Sequence, residues 1–298
     1  MMPKKWKQRT KALSKIEKGM EKEILKVYTD ALKEIRNDLA LAYEKYDMDM
    51  ANMQKYNRLI KLEGQIIDEI KNLSSKNRTN INKGLKSLYQ EGYYQTGFIL
   101  ETELQTKLAY TMLDTKAIEK AVINSISGLK WTERMGLNRD NTIAQIKQEL
   151  SRGLIQGEGY QKMARRMRDR IEVDMNKTLR IARTEGHRVI EESSYDSLVH
   201  AENMGIKAKK RWIATLDERT RSSHQYLDGE TIDIDDRFSN GLLYPGEASG
   251  PPEEIINCRC TTITVFEGLE PTERRIRGEG LIEYTTYDEW YKNRVISK

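Results

Sequence analysis

No proline falls between Pro3 and Pro245. Proline removes a backbone donor and collides with the preceding helical turn, so so long a stretch without it leaves helix as the default conformation. Hydrophobic spacing points the same way. Ile16, Met20, Ile24, Val27, Ala31, Ile35 and Leu39 recur at steps of three and four, with Lys and Glu between them. That spacing gives one apolar face of a helix. Leu59, Leu62, Ile66, Ile70 and Leu73 form a second seam, narrow enough for coiled-coil-like pairing. Ser74-Ser75-Lys76-Asn77 reads as a break, before a third run ending in Leu100, Leu104, Leu108 and Met112. These stripes predict long helices packed along one another over residues 5–125.

The chain has 298 residues, enough for about two domains. Its 33% charged and 38% hydrophobic residues are polar for one globule but too apolar for disorder. A long amphipathic part joined to a smaller packed domain reconciles the two. The formal net charge of +5 permits contact with nucleic acid without the dense basic stripe of a dedicated DNA-binding domain. Met1 to Lys7 is basic, but no apolar segment follows, and no run approaches the length of a membrane span. Neither a signal peptide nor a span is expected.

Beyond residue 125 the texture changes. Thr142 and Gln145 fit a capping box for a helix through Arg152, and Gly153, Gly157 and Gly159 mark a turn. A helix from Tyr160 carries Lys162, Arg165, Arg166, Arg168 and Arg170. A further helix holds Arg183-Thr184-Glu185 and stops at Gly205. After it, Arg211 to Thr215, Thr231 to Ile234 and Thr261 to Phe266 read as strands, with Asp228-Gly229 as a tight turn and a Gly- and Pro-rich loop from Ser239 to Pro252. The residues from Glu267 onward read as a charged tail.

Two short segments concentrate polar and reactive side chains: Asp217 to Asp228, and Asn257-Cys258-Arg259-Cys260. Cysteines two apart are poorly placed to bridge each other, and two make no disulfide scaffold. One reading is a zinc site. Cys258 and Cys260 offer thiolates and His224 an imidazole, with Asp217 or His187 as a fourth ligand. The other is structural. Asp217 caps a helix, Arg219 or Arg221 pairs with an acid such as Glu185, and the cysteines are small buried hydrophobes. Arg183 and Glu185 read as an ion pair fixing a helix against the strands. The basic run Lys162 to Arg170 reads as a solvated face, as a DNA-facing patch without sequence preference, or as a contact for an acidic partner.

Motifs for nucleotide cradles and for H-E-x-x-H metal hydrolysis are absent from the sequence. A thiolate–imidazole pair of Cys258 and His224, a transferase built on Arg183, Thr184 and Glu185, and a nuclease using His224 and Asn257 with a metal are the enzyme alternatives. No catalytic residue is expected.

From Trp131 to about Phe266 the chain resembles the phage Mu F-like minor head proteins, also called the phage head morphogenesis family. The resemblance is carried by Leu150, Gly153-Leu154, Gly157 and Ala182-Arg183-Thr184-Glu185, then by Trp212 to Arg221, His224 and Leu227-Asp228-Gly229. Pro245-Gly246, Pro251-Pro252, Glu253 and Asn257-Cys258-Arg259-Cys260 complete it. It implies a virion protein made in the bacterial cytoplasm, present in few copies at the portal vertex and needed for head assembly or DNA delivery. The implied partners are the portal protein, the scaffold or the major capsid protein, with double-stranded DNA as a further one. The alternative is a DNA-binding protein without sequence preference, packaged and ejected with the genome; an ADP-ribosyltransferase-like enzyme ranks below it. The expected fold is α+β. Residues 1–125 form a helical arm or bundle, residues 126–266 a compact domain of helices and a small antiparallel sheet, and residues 267–298 a charged tail.

Overall fold

The structure is a computed structural model, and it describes residues 3–46, 58–266, 273–276, 280–286 and 289. Three long helices dominate it: α1 (Pro3–Tyr46), α2 (Arg58–Leu104) and, later in the chain, α5 (Tyr160–Asn203). Between α2 and α5 lie α3 (Thr115–Ile123) and α4 (Trp131–Ile155). After α5 come β1 (Lys209–Ile213), α6 (Ser222–Tyr226), β2 (Thr231–Asp233), α7 (Pro252–Ile255) and β3 (Thr261–Val265). The α+β class and the order of long helices before a small antiparallel sheet match the expectation.

The chain forms two compact units that interleave along the sequence. One takes residues 1–17, 85–128 and 183–298; the other takes 18–84 and 129–182. Each unit therefore draws on both sides of residue 125.

Every described element of the unit built from 18–84 and 129–182 is a helix. Met20, Ile24, Ala31, Ile35 and Leu39 of α1 are buried there, as are Leu62, Ile66, Ile70 and Leu73 of α2. Both seams thus face inward as their spacing requires. Tyr28 takes the buried place next to the half-buried Val27, and its hydroxyl donates to Asp174 at 2.6 Å. The expected break at residues 74–77 does not occur. Ser74 and Asn77 are buried inside the continuous α2, because packing of one helical face overrides weak local propensity. The capping box sits earlier than expected: α4 starts at Trp131, where the Glu133 carboxylate accepts the Lys130 amide at 2.7 Å. Thr142 is instead buried inside that helix. Gly153 brings α4 onto α5, since a Cβ there would meet the sulfur of Met163. The two helices expected on either side of residue 180 are the single helix α5.

The other unit holds the sheet, in the order β2-β1-β3 with both pairings antiparallel. Trp212, Leu227, Phe238 and Leu242 pack with both cysteines in one core cluster. Here α2 ends at Leu104, and the backbone turns left-handed at Gln105 (φ 52°). Leu108 is buried beyond the helix, while Met112 is exposed, so neither continues the third stripe. Within α5, Arg188 is fully buried. Its Nε donates to Glu185 at 2.8 Å and its Nη2 to the Ala121 carbonyl at 2.8 Å. The carboxylate of Glu185 thus has Arg188, one helical turn along, as a partner. Glu191 ties α5 to β3 by accepting from Thr261 Oγ1 (2.7 Å) and the Thr262 amide (3.1 Å). The segment after Glu267, expected as a tail, contains an antiparallel hairpin of β4 (Glu273–Ile276) and β5 (Gly280–Glu283). Beyond β5 only residues 284–286 and 289 of that tail are described.

Candidate metal centre

His224, Cys258 and Cys260 come together from two separate segments. The histidine lies on α6, and the cysteines lie in the turn between α7 and β3. That turn is held in place by its own backbone. Asn257 adopts a left-handed φ of 59°, the Cys258 amide donates to the Ile255 carbonyl at 3.1 Å, and the Arg221 guanidinium donates to the Ile256 carbonyl. The cysteines therefore sit just before the strand rather than on it.

Their ligand atoms face one another. Nδ1 of His224 lies 3.3 Å from the Cys260 sulfur and 3.6 Å from the Cys258 sulfur. All three donors fall within 4.8 Å of each other, and all three residues are buried. On its far side the imidazole meets Glu254, with Nε2 at 2.7 Å from Oε2. A carboxylate can only accept, so Nε2 carries the proton and Nδ1 is turned toward the sulfurs. The indole of Trp212 packs edge-on against the ring at 5.3 Å. A hydrogen bond from Cys258, with the imidazole beside it, holds the Cys260 thiol well below the usual thiol range at about 5. The same contact with Cys260, together with burial, pushes the Cys258 thiol up. Burial pulls His224 down, but Cys260 and Glu254 outweigh it and raise its value.

The three residues line a cavity of about 820 Å³. Arg9, Arg183, Arg219, Arg221 and Arg259 line it too, against the carboxylates of Glu17 and Glu191, so cations outnumber anions around the space. His187 lines it too and is fully buried, and burial lowers its pKa to about 4. Its Nε2 meets no hydrogen-bond partner among the described residues.

The other residues singled out in the sequence are distributed differently. Asp217 does not cap a helix, since the residue before α6 is Arg221. Its Oδ1 accepts the Arg219 amide at 3.0 Å and an Arg259 guanidinium nitrogen at 2.7 Å. It stands apart from the three-donor cluster. Arg183 lines the cavity, whereas Glu185 is outside its lining, fully buried and paired with Arg188. In the basic run, four of the five cations engage carboxylates. Lys162 pairs with Glu158, Arg166 with Glu149 and Glu158, Arg168 with Asp169, and Arg170 with Glu149. Arg165 lines a shallow pocket with Lys33, Arg36 and Arg168. Sequence reasoning missed Glu254. The signal available was the Pro-Pro-Glu-Glu start of a short helix just ahead of the cysteine pair.

The chain belongs to the phage Mu protein F-like family, whose model matches residues 144–263. It is 32% identical to the minor head protein GP7 of Bacillus phage SPP1, over 96% of each chain. It is also 29% identical, over 98% of its own length, to the NAD(+)–arginine ADP-ribosyltransferase EFV of Enterococcus faecalis. The chain spans only 61% of that second protein's length. No solved structure matches it.

Proposed function

We propose that this protein is a minor structural component of a tailed-phage head, residing in the virion and working at the portal vertex in head assembly or DNA delivery. The observation that carries this reading is the end-to-end correspondence with a protein named a minor head protein, 96% of each chain. Long helices with polar outer faces suit contacts with the portal, scaffold or major capsid protein, and none of them is apolar enough to cross a membrane. The test is to purify heads from wild-type phage and from a phage lacking this gene. Wild-type heads should contain the protein in few copies, enriched in fractions that hold the portal. Its absence from purified heads would overturn the reading.

The Enterococcus relative raises a transferase as the second reading. Two observations weigh against it for this chain. The region the chain shares with that protein is also shared, nearly whole, with the head protein, so the common part does not require transferase activity. In addition, Glu185, the carboxylate that would polarise a ribose, is fully buried and paired with Arg188. Incubation with labelled NAD+ and an arginine acceptor should leave the acceptor unlabelled. Labelling that disappears in Glu185→Gln would reinstate the enzyme.

A further inference from the structure

We propose that His224 Nδ1, Cys258 Sγ and Cys260 Sγ bind one thiophilic divalent cation, zinc, with a fourth coordination position open to the arginine-lined cavity.

The distances carry the first part of the argument. A tetrahedral zinc with bonds of about 2.3 Å to sulfur and about 2.0 Å to nitrogen sets those donors about 3.6 Å apart. The two nitrogen–sulfur separations are 3.3 and 3.6 Å. Both separations lie within a few tenths of an ångström of that value, and all three donor atoms lie within 4.8 Å of one another.

The orientation of His224 is the second, independent observation. Metal-binding histidines give their other N–H to a carboxylate, which sets the tautomer and makes the ligating nitrogen more basic. Glu254 does this at 2.7 Å, and it is itself held by Ser223 Oγ at 2.9 Å. The carboxylate thus aims the Nδ1 lone pair at the cysteine sulfurs. The apolar surroundings of Trp212, Phe238 and Leu242 add the dry wall that strengthens such bonds.

Donor type sets the metal class. Two thiolates and an imidazole favour zinc over magnesium or calcium, which take oxygen. Donor number sets the coordination. Asp217 is held by Arg259 away from the cluster, and His187 is outside the set whose atoms lie together. Three protein ligands leave one vertex, and because all three line the cavity, that vertex is filled from the cavity by solvent or a small anion.

The experiment uses the full chain, titrated with zinc against a chromophoric chelator and, separately, loaded with cobalt(II). Expected are one metal per chain and an intense thiolate-to-cobalt absorption, with visible bands that move when azide enters the fourth position. Cys258→Ser and Cys260→Ser should abolish the thiolate band or halve it, and Glu254→Gln should weaken zinc by roughly 10–100-fold while leaving the donors in place. No zinc competition by the wild-type chain, or metal retained without loss in the double cysteine variant, would overturn the site. Cobalt bands indifferent to azide would overturn the open position. Should the cysteine variants not fold, the wild-type titration and Glu254→Gln decide alone. These readouts measure metal affinity and spectra, so their failure leaves the head-protein reading untouched.

Discussion

Lys210 sits on the central strand with only 1% of its surface exposed, and its ammonium donates to the Ile234 carbonyl at 2.6 Å over the ring of Tyr195. Burial lowers its pKa from 10.5 to about 8, against the pull of Glu247 and nearby aspartates. A cation with a folded value below its unfolded one holds fewer protons in the folded state between about pH 8 and 10.5. Stability from this group is therefore full above that window and lost as pH falls through it. Denaturant unfolding of wild type and Lys210→Met should show the wild type gaining stability relative to the variant from pH 8 to 10. A constant difference across that range would refute the burial of the charge. Arg188 is a second case, with its guanidinium sealed between Glu185 and Glu192. Arg188→Ala strands two carboxylates in the interior and should cost about 3–5 kcal/mol of unfolding free energy, read from urea midpoints. At this scale the sequence was partly legible. Cys258, Cys260 and His224 stood out because reactive side chains are rare in this chain. Glu254 and Arg188 did not, because a glutamate or an arginine in a charged sequence looks the same whether it is buried or solvated.

Helix faces were more legible than helix ends. The α1 and α2 seams follow from periodicity alone, since burial selects one face of a helix whatever its partner. The boundaries failed where short-range signals met longer-range packing. Ser74 to Asn77 has the composition of a break, yet α2 runs through it, and Thr142 has the spacing of a cap inside α4. Asn77 shows what this continuity costs. Its side chain is fully buried, and neither Nδ2 nor Oδ1 meets a partner among the described residues. An unpaired buried amide costs about 1–3 kcal/mol. Asn77→Leu, with the same branching at Cγ and better helix propensity, should raise the unfolding free energy by about that much, or raise the midpoint of thermal unfolding. A destabilised variant would mean that the amide is satisfied in solution. On α5 the same competition concerns charge. The basic residues that suggested a DNA-facing stripe are mostly spent on Glu149, Glu158 and Asp169 within their own unit.

For the whole molecule, that pairing sets what DNA binding should look like, and so how a head component and a passenger on the genome would be told apart. Affinity for duplex DNA comes largely from counterions released when cations meet phosphates, and it falls with salt in proportion to the number of those contacts. A net charge of +5 is mild, and four of the five cations in the basic run already face carboxylates. Arg165, Lys33 and Arg36 line one pocket and are the cations there best placed to meet phosphate. Binding of the purified protein to random-sequence duplex should therefore be weak, with a slope of log affinity against log salt equivalent to about three phosphates or fewer, and it should vanish near 0.2 M salt. Arg165→Ala with Arg36→Ala should remove most of what remains, while Arg170→Ala changes little. A slope equivalent to about six or more phosphates, with binding that persists at 0.2 M salt, would mean that the ion pairs on α5 open to meet DNA. The protein would then be better understood as cargo that travels with the genome than as a part of the shell that packages it.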